Sequence, residues 1–287
     1  GINTSTFNGK TIHASSKELI DQLRKLAEER INYLQNRGWL KDYHYQSYIN
    51  NDGLFADSKD TMSLTGQAMA LLSETATKSQ AITIAKHAKA LLFDKEVGGY
   101  HLNSFYDAIL LNIGRAYGFA YGHKENGAVF SHMVMMYAYG LYNYDLSHEA
   151  REAYQTLLNQ AIHPDSKVLA GIPEYFNNQG HGKYLYLTGS ASWLLKLLRT
   201  HVFGLKFNYG VLNLEPKLEK DDFIEGKASI KTYIFGRLTK VTYHNDKNLD
   251  LNQYKISKIM MGETSVSLPL STIDGDLEVY LDEISSV

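Results

Sequence analysis

The sequence contains no cysteine, which excludes a disulfide framework and thiolate chemistry and fits a cytoplasmic location. An excess of one charge sign is missing too. The formal net charge is -2, which argues against a nucleic-acid or anionic-membrane partner, since both need clustered Lys and Arg. No uninterrupted run of about eighteen apolar residues occurs, and the N-terminus lacks a basic-then-apolar signal pattern. The 11 histidines include no His-Glu-x-x-His pair and no cluster at zinc spacing, so no metal is expected. A Gly-x-Ser-x-Gly elbow, a phosphate-binding P-loop and a dinucleotide fingerprint are likewise absent, and no cofactor is expected.

What is present is ample material for a core. The chain has 287 residues, 44% hydrophobic and 21% charged, enough for one large domain or a large and a small one. There are 21 tyrosines. Each joins an apolar ring to a polar rim, which suits a sugar ring and equally suits helix packing with wet edges.

Residues 15 to 36 read as an amphipathic helix, with Ser15 and Glu18 as a capping box and Leu19, Leu23, Leu26 and Leu34 at helical spacing. Further helices are expected over 63 to 75, from the Thr77/Gln80 capping box to Leu92, and over 126 to 143, 147 to 161 and 189 to 203. The pattern changes near Gly204. Short β-branched and aromatic runs around Val211, Ile230, Val241 and Tyr243, then Val266 to Leu268 and Leu277 to Leu281, predict an antiparallel β-sandwich. The expected fold is mainly α with a C-terminal β domain, divided into a helical domain at 1-205 and a β-sandwich domain at 206-287.

Four segments concentrate polar groups at helix starts or in glycine-containing connections. His123 to His132 places Lys124, Glu125 and His132 against the apolar run Met133 to Tyr137, which points to a pocket for a polyol and an anion. A capped helix start with solvated charges is the alternative. Thr188, Gly189 and Ser190 precede a leucine-rich helix, whose free N–H groups favour an anion, although an ordinary cap has the same residues. Gly171 to Phe176 is a proline-stiffened loop presenting Glu174 beside two aromatic rings, as a sugar site or a plain turn would. Gln67, within Leu64 to Ala70, is a candidate ligand contact or a core-bonded amide.

In this order the four segments resemble the cellobiose phosphorylase family, glycoside hydrolase family 94. Lys124-Glu125-Asn126-Gly127-Ala128 with Phe130 and His132 is similar to that family's Lys-Glu-Asn-Gly block and its following Phe and His. Thr188-Gly189-Ser190-Ala191 with Trp193 matches its Thr-Gly-Ser-Ala-Gly-Trp block, Ser192 replacing the glycine. The resemblance runs from about Gly53 to Lys240. It implies that the helical part is a portion of an (α/α)6 barrel with a smaller β domain behind it. It also implies inverting phosphorolysis of a β-linked glucose disaccharide or oligosaccharide, with inorganic phosphate as co-substrate and a sugar 1-phosphate as product.

Residue by residue, the resemblance assigns phosphate binding to His132, Thr188 and Gly189, and a sugar contact to Lys124, with Glu125 beside it. Glu174 and Gln67 are further sugar-binding candidates. The family's general acid lies in an Asp-Trp-Asn-Asp block that this sequence lacks, so the acid is expected upstream of the chain. Asp42, Asp57 and Asp60 qualify by charge only. The helix count is about half of what a closed (α/α)6 barrel needs. A half barrel exposes apolar faces, so a homo-oligomer, or association with a missing N-terminal half, is expected. The alternative to an active enzyme is a carbohydrate- and phosphate-binding fragment without a proton donor.

Overall fold

A computed structural model describes residues 2–5, 11–186 and 188–284. The chain divides into two compact units, Gly1–Leu187 and Thr188–Val287. The first begins with a hairpin of β1 (Ile2–Ser5) and β2 (Thr11–Ala14), followed by α1 (Ser16–Tyr33) and a π-helical turn over Leu34–Gly38. A second hairpin, β3 (Trp39–Leu40) and β4 (His44–Tyr45), leads to α2 (Leu64–Leu72) and α3 (Lys78–Leu92). The hairpin β5 (Phe93–Asp94) and β6 (Gly99–Tyr100) precedes a long loop with one 3-10 turn at Arg115–Gly118. Then come β7 (Val129–Phe130), α4 (Ser131–Asn143), α5 (Ser147–Ile162), β8 (Tyr175–Phe176) and β9 (Gly182–Lys183), where β7, β8 and β9 form a small antiparallel sheet.

Both expected capping boxes form. Ser15 N donates to Glu18 Oε2 at 2.8 Å and Glu18 N donates back to Ser15 Oγ at 3.2 Å. Thr77 N and Gln80 N make the same reciprocal pair at the start of α3, at 2.8 and 3.2 Å. Each box satisfies two amides that the first helical turn otherwise leaves without partners.

The core of this unit is helical. α4 packs between α2 and α5 and buries Val134, Met135, Tyr137, Ala138, Leu141 and Tyr142. Gly140 sets the approach to α2, because a Cβ there would lie 2.6 Å from the Leu71 Cβ and 3.3 Å from the Leu72 backbone nitrogen. α1 behaves differently. It buries no residue, and Ile20, Leu23, Leu26 and Ile31 are 47, 57, 47 and 40% exposed. An amphipathic helix draws most of its stability from covering its apolar stripe, and in this unit that stripe faces solvent.

One helix begins later than the sequence predicts. Residues 126 to 130 read as the opening of α4, yet Gly127 adopts a φ of +72° and Val129 and Phe130 pair with Phe176 and Tyr175. The positive φ and the strand pairing exclude helix until Ser131.

The second unit opens with α6 (Gly189–Leu197), which runs into a π-helical turn over Leu198–Val202. A two-stranded hairpin follows, β10 (Leu205–Asn208) and β11 (Val211–Leu214). The remaining strands are β12 (Lys227–Ile234), β13 (Arg237–His244), β14 (Tyr254–Met261), β15 (Thr264–Val266) and β16 (Leu277–Glu283). They form one five-stranded sheet in the order β12-β13-β16-β14-β15. This corrects the expected antiparallel sandwich. β16 inserts between β13 and β14 and runs parallel to β13, with Val241 beside Leu277 and Tyr243 beside Val279, so the sheet is mixed. Alternating strand patterns are silent on direction, and the connection from β15 to β16 decides it.

Six α-helices thus precede a mixed sheet, and the described residues form no closed barrel. No helix among the described residues is long and apolar enough to cross a membrane.

Candidate active site

The loop from Phe119 to Ala128 carries a cluster of polar groups in the first unit. Its inner half is fastened by Asn103, which is 1% exposed. Asn103 Oδ1 accepts from Gly127 N at 2.9 Å, and Nδ2 donates to Asn126 Oδ1 at 3.1 Å and to the Ser104 carbonyl at 2.9 Å. Asn126 Nδ2 donates in turn to the Phe119 carbonyl at 2.7 Å, and Gly122 N to the Asn126 carbonyl at 2.7 Å. Gly127 has no room for a side chain, because a Cβ would sit 2.1 Å from the Tyr121 ring.

The outer half of the loop presents Lys124 and Glu125. Lys124 Nζ lies 5.1 Å from the Phe119 ring centroid and 5.2 Å from that of Tyr184. Its hydrogen bond to Tyr184, reinforced by the nearby Glu125, raises its pKa above the usual ammonium value. Glu125 Oε1 accepts from Arg115 at 3.3 Å, while Oε2 is buried and has no hydrogen-bond partner among the described residues. A buried carboxylate oxygen without a donor is costly, and a ligand hydroxyl at that point would offset the cost.

Glu174 joins the same cluster. Its Oε2 accepts from the Tyr186 hydroxyl at 3.1 Å, which raises the tyrosine's pKa. Tyr186 stands edge-on to Tyr184 at 5.8 Å, and Tyr175 lies 5.9 Å from Tyr184. A cavity of about 350 Å3 shares Phe119, Tyr121 and Asn126 with the loop and is completed by Phe105, Tyr106 and Tyr117 among others. Apolar rings with a few converging polar groups are what a small polar ligand requires.

His132 is the second residue of α4 and is half-buried. Among the described residues no side chain caps this helix, and none pairs with the buried Ser131 Oγ. Ser131 N donates to the Glu174 carbonyl at 3.0 Å, which ties the helix start to the tyrosine cluster. Thr188 and Gly189 stand at the start of α6 in the second unit. Thr188 is its N-cap, with Oγ1 accepting from Ser190 N at 3.3 Å and its hydroxyl donating to Ser190 Oγ at 3.0 Å.

Lys124, Glu125 and Glu174 are therefore brought together, with His132 one residue from the link to Glu174. Gln67 is fully buried. Its Oε1 accepts from Tyr45 N at 3.0 Å and its Nε2 donates to the Tyr45 and Ser63 carbonyls at 2.6 and 3.0 Å, so its amide binds α2 to β4. Asp42 and Asp60 are exposed turn residues. Asp57 is buried, accepting from Ser47 N at 2.7 Å and from the Tyr106 hydroxyl. Burial raises its pKa, and those hydrogen bonds oppose the rise. Sequence reasoning missed Asn103, Phe119 and Arg115. Phe119 and Arg115 lie within ten residues of Lys124 and were findable by proximity; Asn103 carries no local signal.

The family model for the glycosyl hydrolase 94 superfamily, catalytic domain, matches residues 5–204, more than half of the chain. No curated protein matches it. The match spans Lys124, Glu125, His132, Glu174, Thr188 and Gly189, the residues placed above at the loop, in the tyrosine cluster and at two helix starts, and the chain belongs to the glycosyl hydrolase 94 family, whose activity is of the glycoside phosphorylase type.

Proposed function

We propose that this chain supplies the sugar- and phosphate-binding side of an inverting glycoside phosphorylase acting on a β-linked glucose disaccharide or oligosaccharide. The observation that carries the reading is the buried, partnerless Glu125 Oε2 beside Lys124 and its aromatic walls. A sugar hydroxyl can donate to that oxygen while an adjacent hydroxyl accepts from the Lys124 ammonium. Glu174, held by Tyr186, adds a second acceptor. In this reading residues 1–205 are a portion of an (α/α)6 barrel, and residues 206–287 form a separate β domain.

Phosphate replaces the water of an inverting hydrolase. Water needs a second carboxylate to activate it, whereas phosphate is already an anion and needs only orientation. His132 near the uncapped start of α4, and Thr188 with Gly189 at the start of α6, are the assigned phosphate contacts. Helix-end amides and an imidazole N–H donor are suited to that anion. Attack on the anomeric carbon breaks the glycosidic bond and leaves a sugar 1-phosphate, and the leaving oxygen takes its proton from a general acid.

The test is binding of cellobiose and of inorganic phosphate, each followed by NMR titration. Lys124→Met should weaken cellobiose binding by roughly tenfold or more and leave phosphate binding unchanged. His132→Ala should do the reverse. Wild-type protein that binds neither ligand refutes the proposal. A second reading, a binding module without its own proton donor, is favoured by Asp57, whose carboxylate is engaged by Ser47 and Tyr106. It predicts binding without release of a sugar 1-phosphate.

Self-association belongs to the same proposal. The stripe of Ile20, Leu23, Leu26 and Ile31 would be covered by a second copy. Sedimentation should show a concentration-dependent dimer that Leu23→Glu converts to monomer, and a wild-type monomer at all concentrations would exclude it.

A further inference from the structure

We infer that Asn103 is the positioning residue for Lys124 and Glu125, an inference that rests on the sugar-binding role proposed for that pair. The Asn103 hydrogen bonds run to Ser104, Tyr121, Asn126 and Gly127 rather than to either side chain. It sits behind the loop, fully buried, where the segment after β6 crosses the segment before α2: Ser104 N donates to the Met62 carbonyl and Met62 N to Ser104 Oγ. Those bonds tie the Asn103 backbone to the helical core. Its amide faces the other way, and both of its ends are engaged by the loop.

The geometry makes Asn103 a two-point clamp. Oδ1 receives the Gly127 amide and Nδ2 reaches Asn126 Oδ1, so the two residues immediately after Lys124 and Glu125 are fixed in position and orientation. The Tyr121 hydroxyl donates to the Asn103 carbonyl at 3.1 Å, which fixes a point ahead of the pair. Asn126 then passes the constraint to Phe119 through its own amide, and Phe119 forms one wall around Lys124. The pair is thus bracketed on both sides by bonds that meet at one buried residue.

Lys124 has reason to need such a bracket, because its φ is +50°. A lysine in the left-handed region returns to extended backbone unless its neighbours prevent it. Aspartate cannot replace Asn103. It would keep an acceptor for the Gly127 amide but would turn an oxygen towards two oxygens, Asn126 Oδ1 and the Ser104 carbonyl.

The test compares wild type, Asn103→Asp and Asn103→Ser in the two titrations, with cellobiose and inorganic phosphate as probes. Both variants should weaken cellobiose binding by roughly tenfold and leave phosphate binding within about twofold of wild type. A merely structural residue would lower thermal stability and affect the two ligands alike. Equal cellobiose affinity in wild type and both variants, or equal loss for both ligands, overturns the inference. If wild type itself fails to bind cellobiose, the failure lies with the sugar reading. If both variants prove unfolded, Asn126→Asp tests the same chain from the loop side, since it keeps the acceptor for Asn103 and replaces the amide donor to Phe119 with a carboxylate oxygen facing that carbonyl. It too should weaken cellobiose and spare phosphate, and equal binding would count against the clamp.

Discussion

Gly204→Ala is expected to unfold the second unit at temperatures the wild type survives. A Cβ at this position would lie 2.1 Å from the carbonyl carbon of Glu215, 2.2 Å from its oxygen and 2.4 Å from Pro216 N. All three are backbone atoms, so no side-chain rotation relieves the clash. The two strands of chain cannot separate freely either. Glu215 N donates to the Gly204 carbonyl at 2.8 Å and Lys217 N to the Val202 carbonyl at 3.0 Å. The φ of +65° adds its own penalty for any side chain. A loss of at least about 3 kcal/mol is expected, seen as a fall of roughly 10 °C or more in the unit's melting midpoint. A midpoint within about 2 °C of wild type would show that the backbone contact is not as close as described.

The second large effect is loss of stability in acid, and it centres on His44. This residue is fully buried at β4. Nε2 contacts the Thr61 carbonyl at 3.1 Å, which requires that nitrogen to carry the proton, and Nδ1 has no hydrogen-bond partner among the described residues. Burial pushes its pKa from 6.5 down to about 4. The carbonyls of Thr61 and Ser58 oppose the shift, and the nearby His87 adds to it. His44 therefore stays neutral in the fold while an unfolded chain takes up a proton below about 6.5. Its contribution is fully present above that pH and is lost as pH falls towards 4, at up to about 1.4 kcal/mol per pH unit and about 3 kcal/mol in all.

His44→Gln separates burial from hydrogen bonding. A glutamine can still donate to Thr61, so the cost at pH 7 should be about 1 kcal/mol. Its amide does not titrate, and the slope of stability between pH 6.5 and 4 should flatten. Urea denaturation at several pH values measures both. An unchanged slope would place the acid sensitivity elsewhere, with His87 the next group to examine, since burial and Lys86 lower its pKa too.

Local chemistry made much of this fold legible. The caps at Ser15 and Thr77 were readable because a capping box is a contact between residues three apart. The helices were readable because their apolar spacing is intrinsic to the chain. Strand direction was not. The alternation in Val241 to Tyr243 and in Leu277 to Val279 shows which residues face a core, and says nothing of which way the strand enters. The start of α4 was misplaced for a related reason, since Val129 and Phe130 are drawn into pairing by Tyr175 and Phe176, nearly fifty residues away.

The site divides in the same way. Lys124, Glu125 and His132 stand in one contiguous block, and Glu174 is marked by the proline and aromatics around it. Asn103 is an isolated amide in a loop, and only the folded backbone brings it under Gly127. Gln67 was visible as a polar residue in an apolar helix, but whether its amide faced a ligand or a strand depended on β4.

The close seat of α4 on α2 has a consequence for how this sequence can drift. With the Leu71 Cβ and the Leu72 amide so near to Gly140, no side chain fits between the helices, and position 140 cannot change unless α2 shifts with it. α4 carries His132 in its first turn, so any movement of α4 that makes room would also move that imidazole. Substitutions near 71 and 140 should therefore arise together or not at all in functional descendants of this chain, although neither residue is among the proposed ligand contacts.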